Sequence, residues 1–208
     1  MKSAYIMFSK TASYTGKLIR VVTGNKFNHI SLCIDDNFET LYSFARHFNK
    51  APFYGGLVEE SPLRYAGASV KVAKVELTNE QYSLLESELN NALENKNDYI
   101  YNFLSAAVFP FHRRIEVNNA YTCVEFVVYM LSCCKTKGVE NKYYSIVDME
   151  KLFEKNIVFE GVMPTPENAN WGNDKFNFKP SYMRSAKLTA VNFARLAGRY
   201  YNGRKKNN

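Results

Sequence analysis

The feature that most constrains this 208-residue chain is the segment TCVEFVVYMLSCC at 122–134. Thr122 and Glu125 make a T-x-x-E capping box, which starts a helix by satisfying N–H groups of its first turn. The helix it opens, over 123–134, carries Val124, Phe126, Val127, Val128, Met130 and Leu131. A helix apolar on nearly all sides must be buried, so the pattern predicts a central helix held against a sheet. The sheet is legible upstream. HISLCID (29–35) alternates Ile30, Leu32 and Ile34 with His29, Ser31 and Cys33, the period of a strand with two different faces. Asp35-Asp36-Asn37 is a turn cluster, and ETLYSFAR (39–46) reads as the returning strand of a hairpin.

AYIMFSK (4–10) and VKVAKVEL (70–77) read as further strands, and SYTGKLIRVVTG (13–24) as a short helix closed by Gly24. NKAPFYGGLVEESP (49–62) reads as a loop punctuated by Pro52 and Gly55-Gly56. A second box, Thr78 with Gln81, opens a helix over about 79–95 with Leu84, Leu85, Leu89, Ala92 and Leu93 on one side. An apolar helix is expected over 99–111, a short helix over 145–155, an extended loop over 164–180 and helical potential over 181–201. The fold class is α+β, with helices packed on an antiparallel sheet.

The second consequence of the box at 122–125 is chemical. If Thr122 is the N-cap, Cys123 is the first helical residue, and its sulfur lies beside unpaired N–H groups at the positive end of the helix dipole. That placement favours a thiolate, and the same N–H groups can serve a developing oxyanion. Read locally, Cys123 is equally a small buried apolar residue. A nucleophilic cysteine needs a base. His29, at the start of a strand and on its polar face, is the natural partner. A third residue should accept from the second imidazole nitrogen. The adjacent strand offers Tyr42 and Ser43; Ser43 is favoured because it is small enough to reach the ring without displacing it, and a backbone carbonyl or a water is an alternative. His47 and His112, beside Arg46, Arg113 and Arg114, read as solvated.

Four cysteines (33, 123, 133 and 134) show no CxxC spacing, and three histidines are scattered, so no metal and no cofactor are expected. The start, MKSAYIMFSK, does not read as a signal peptide, and no stretch reaches the apolar length of a membrane span; a cytoplasmic location is the expectation. The chain carries +7, and residues 179–208 alone carry +8 with no acid, so residues 1–178 carry −1. The expected organisation is one domain over 1–178 and a basic C-terminal helix or tail over 179–208. Any argument for an acidic partner applies to that tail alone.

These residues carry a resemblance. NHISLCIDDNFETLYSF (28–44) resembles the histidine-bearing hairpin of the NlpC-type cysteine hydrolases, and YTCVEFVVYML (121–131) resembles their nucleophile helix. Histidine precedes cysteine by 94 positions, an order similar to the circularly permuted branch, with its YiiX-like bacterial proteins and lecithin:retinol acyltransferase-like enzymes. YSFARHFNKAPFYGGLVEE (42–60) and NDYIYNFLSAAV (97–108) also resemble bacterial and phage members. The resemblance covers about residues 3–135, with 136–178 as a variable extension. It implies a papain-like permuted fold with Cys123 as nucleophile and His29 as base. Many relatives have His, Asn or Glu as the third residue, where this hairpin offers Tyr42 or Ser43, and Val124 stands where a serine is frequent.

The function expected from these readings is a cysteine-dependent hydrolase acting on an amide or ester, in a peptide or a lipid, through a thioacyl intermediate. Peptidoglycan stem peptides are the usual family substrate, but the lack of an export signal argues against a secreted wall enzyme. A lipid or ester acyl hydrolase or acyltransferase of the same fold, and a binding or structural protein without turnover, are the alternatives. The basic tail, mixing apolar and basic residues, suits an anionic membrane surface better than a duplex groove, which disfavours nucleic acid.

Overall fold

The computed structural model describes residues 1–11, 25–165 and 175–206. The helix expected over 13–24 lies outside the described residues. Six strands form one antiparallel sheet: β1 (Lys2–Ser9), β2 (His29–Cys33), β3 (Leu41–Arg46), β4 (Gly55–Glu60), β5 (Ser69–Leu77) and β8 (Ile157–Val162). Their order is β4-β3-β2-β1-β5-β8, and every pairing is antiparallel. Two short strands, β6 (Ile100–Tyr101) and β7 (Ala120–Tyr121), pair in parallel beside it. The helices are α1 (Asn79–Glu94), α2 (Phe103–Val108), α3 (Cys123–Cys133), α4 (Ile146–Leu152) and α5 (Tyr182–Lys206).

Both expected capping boxes are formed. Thr78 and Gln81 exchange bonds at the start of α1, and Thr122 and Glu125 do so at the start of α3. Helix α3 lies on β2 and β3 and against α1. The main core joins Ile30 and Leu32 of β2, Phe44 of β3, Leu85 and Leu89 of α1, and Phe126, Val127, Met130 and Leu131 of α3. Leu84, expected on the inner side of α1, is exposed. The other sheet face carries a smaller cluster with Met7, Cys33, Leu41, Tyr65, Val70 and Val72.

Three segments differ from expectation. Residues 55–60 are strand rather than loop. Gly55 and Gly56 are extended here, and glycine is needed for close approach: a Cβ on Gly55 would stand 2.5 Å from the Ala45 carbonyl oxygen, and one on Gly56 2.6 Å from that of Tyr99. The helix expected over 99–111 is helical only over 103–108, with a 3₁₀ turn at 109–111, because residues 100–101 pair with β7. Residues 157–162, between the helix expected over 145–155 and the loop expected over 164–180, add a strand to the edge of the sheet beside β5.

Helix α5 is docked on the body. Leu196 is buried, Phe193 packs on Phe53 and Phe103, and Arg195 and Arg199 donate to the carbonyls of Asn97 and Asn119 at 2.6 and 3.1 Å. Lys187, Arg204 and Lys205 remain exposed.

Candidate active site

Cys123 is the first residue of α3, immediately after its N-cap Thr122. It is 7% exposed. Helix and sheet bring it toward His29: the Cys123 thiol is close enough to the imidazole to act on its charge. His29 opens β2, so its ring sits at the end of the strand and meets groups from both faces. Helix α3 packs on the Ile30/Leu32 face rather than on the polar face, and Cys123 reaches the histidine from that side. On the other side the ring stacks on Tyr65, with centroids 6.0 Å apart.

The third group differs from the expectation. The imidazole Nε2 lies 3.4 Å from Oε2 of Glu60, the last residue of β4. Ser43 does not serve the ring; its hydroxyl donates to the same Glu60 oxygen at 2.9 Å. Tyr42 points to the opposite face and packs in the main core. Glu60 is 4% exposed and gathers more donors: Tyr65 at 2.7 Å and Ser31 at 3.3 Å on Oε2, and Arg64 at 3.4 Å on Oε1. A buried carboxylate is stable only when its lone pairs are used this fully. Reading 55–62 as loop hid Glu60. The signal that could have found it is the alternation in GGLVEE, where Val58 and Glu60 share a face and Glu59 is exposed.

The charges support one another. Burial opposes the imidazolium, but the Glu60 carboxylate and the Cys123 and Glu60 hydrogen bonds outweigh it and raise the His29 pKa to about 10. Burial likewise opposes the Glu60 carboxylate, yet the His29 charge and hydrogen bond, Arg64 and the Tyr65 hydroxyl hold it down to about 2. The consequence for stability has a definite sign. The Glu60 contribution is complete above its ordinary 4.5 and is lost as pH falls toward 2. The His29 contribution is complete below its ordinary 6.5 and is lost as pH rises toward 10. Thermal melts between about pH 3 and 10 should therefore show these two groups contributing most jointly in mildly acidic solution, with Tm falling on either side; a Tm that rose steadily from neutral to alkaline pH would contradict the raised histidine.

Two other buried or half-buried groups escaped sequence reading. Tyr101 of β6 sits opposite Tyr121, two residues before Cys123, on the parallel ladder. Burial, then the charges of Cys123 and Glu125, push its phenol up, so it stays protonated and able to donate. His47 is half-buried rather than solvated; burial, with Arg64 and Lys96 nearby, lowers it to about 4 and leaves the ring neutral. His112 is exposed. Among the described residues no cluster of His, Cys, Asp and Glu could hold a metal ion, and no helix is long and apolar enough to cross a membrane.

No family model matches the chain, and no solved structure matches it. Over 91 residues it is 34% identical to the methylenetetrahydrofolate–tRNA-(uracil-5-)-methyltransferase TrmFO of Natranaerobius thermophilus, a match covering 40% of this chain and 21% of that protein. The matched part thus spans about a fifth of the length of this curated relative.

Proposed function

We propose that the chain is a cysteine hydrolase of the circularly permuted, papain-like NlpC type, acting on an amide or ester. The observation that carries this reading is the run Cys123–His29–Glu60, in which the thiol at a helix N-terminus neighbours a buried histidine that is bonded to a buried carboxylate. The Cys123 sulfur attacks the substrate carbonyl with its proton held on His29 as the imidazolium. The carbonyl oxygen gains charge beside the first N–H groups of α3, with the Tyr101 hydroxyl a further donor nearby. The C–N or C–O bond then breaks, His29 protonates the leaving group, and water cleaves the thioester to return the thiol and release the acid. Glu60 orients the ring and stabilises its charge.

The other three cysteines make the test sharp. Burial, with Asp35 beside it, pushes Cys33 up to about 12, and burial raises Cys133 and Cys134 as well. A thiol-directed acyl probe, with its sites located by peptide mapping, should label Cys123 ahead of the exposed Cys133. Labelling should vanish in Cys123→Ala and slow by roughly 10²–10⁴-fold in His29→Ala, the range of a lost general base. Equal labelling of all four thiols, or none at Cys123, sinks the proposal. The near-complete burial of Cys123 favours the second reading, a binding protein without turnover, which predicts that absence.

A further inference from the structure

The charged groups around the thiol do not all have partners. Glu60 faces both His29 and Arg64, at 3.4 Å each. Arg46, the last residue of β3, faces no carboxylate among the described residues. Its guanidinium donates one bond, to the Asn49 carbonyl at 3.1 Å, and lies 5.8 Å from the centre of the Phe176 ring. A guanidinium has five N–H donors in a planar fork that matches an oxyanion. A half-buried cation usually answers to an anion, and this one answers to a carbonyl and a ring.

Its position is set by the strands. Arg46 pairs with Gly55, and the missing Cβ of Gly55 admits Tyr101, whose own Cβ would be 3.3 Å from one built there. Tyr101 pairs with Tyr121, and Cys123 follows two residues on. The Tyr101 phenol is within electrostatic reach of both the Cys123 sulfur and Arg46. On the far side, Arg46 and Arg64 flank one ring, Phe176, at 5.8 and 4.8 Å, and Arg64 leads back through Glu60 to His29. Arg46 is thus a positive charge linked to the site through Tyr101 and Phe176, with no carboxylate facing it among the described residues.

We propose that Arg46 is a substrate-anchoring residue, and that the acyl compound attacked by Cys123 carries an anionic oxygen group, a carboxylate or a phosphate, close to its scissile carbonyl. This deepens the hydrolase reading and rests on it for the reaction, though not for the anion subsite itself. Binding would set the group on the free edge of the Arg46 fork, and Phe176, the ring now over both guanidiniums, would mark one wall of the subsite.

Two measurements test it. The first is alkylation of Cys123 by iodoacetate, an anion, against iodoacetamide, its neutral counterpart. In Arg46→Met the iodoacetate rate should fall roughly tenfold more than the iodoacetamide rate, the order of effect of removing one unit charge at an effective dielectric near 20; Arg46→Lys should lose less. The second does not use the thiol. Sodium phosphate, compared with chloride at equal ionic strength, should raise the Tm of the native chain and of Cys123→Ala, and should raise it less in Arg46→Met; an acetate series alongside tells carboxylate from phosphate. If Arg46→Met does not fold, Arg46→Gln takes its place. An unchanged rate ratio with an unchanged phosphate shift overturns the anion subsite. A phosphate shift that depends on Arg46, in a protein whose Cys123 no reagent labels, upholds the subsite and overturns the hydrolase instead.

Discussion

Glu60→Gln should slow alkylation of Cys123 near neutral pH by about tenfold and destabilise the protein by about 3–5 kcal/mol, the cost of leaving one member of a buried ion pair uncompensated. The carboxylate is buried with four groups on one oxygen and Arg64 on the other. An amide of the same shape keeps one accepting oxygen but presents an NH₂ to donors, so either the Ser31, Ser43 and Tyr65 hydroxyls or the Arg64 guanidinium loses its acceptor. His29 loses the charge that offsets its burial. Its pKa then falls, and the imidazolium that would pair with a thiolate is no longer sustained. The alkaline decline in Tm attributed to His29 should flatten in the same variant, which a purely steric lesion would not do. A chain of this length moves by about 2–4 °C per kcal/mol, so a melting curve resolves the effect. Native-like Tm and native-like alkylation together would reduce Glu60 to a bystander.

Phe126→Ala should cost about 3–5 kcal/mol, the range for emptying a large aromatic site in a packed core. Phe126 lies three residues beyond Cys123 on the inner side of α3 and is fully buried. Its ring is 5.1 Å from that of Phe44 on β3, and Phe44 also meets Tyr99 and Tyr121 edge-on. The void would open between α3 and the strands it rests on, so the approach of Cys123 to His29 should loosen along with the fold. Denaturant unfolding reads the stability, and Cys123 labelling well below the transition reads the geometry. Phe126→Leu, which leaves a smaller void, should lose less of both. Stability near the native value in Phe126→Ala would mean that α3 is held chiefly by other contacts.

The chain announces Cys123 by a local rule: the Thr122–Glu125 box acts within four residues, and the apolar run behind it permits only a buried helix. The β2–β3 hairpin and the position of His29 are equally local, since strand alternation needs only neighbours. Glu60 is different. Its strand contains Gly55-Gly56, which reads as a break until Tyr99 and Tyr101 are seen pressing on that backbone. Burial of a carboxylate depends on donors from β2, β3 and the 3₁₀ turn at 62–65, brought together across the sheet. Ser43 was legible as a polar residue beside His29, and only the sheet turned its hydroxyl toward Glu60. The same holds for Arg46, whose missing counter-charge is a property of its surroundings and not of its place in the chain. Sequence alone therefore determined the capped helix that carries Cys123 and the strand that carries His29, because capping and periodicity are short-range; tertiary structure decided which carboxylate holds the histidine and which nearby cation faces no carboxylate among the described residues, because charge balance in a buried site is a sum over distant segments.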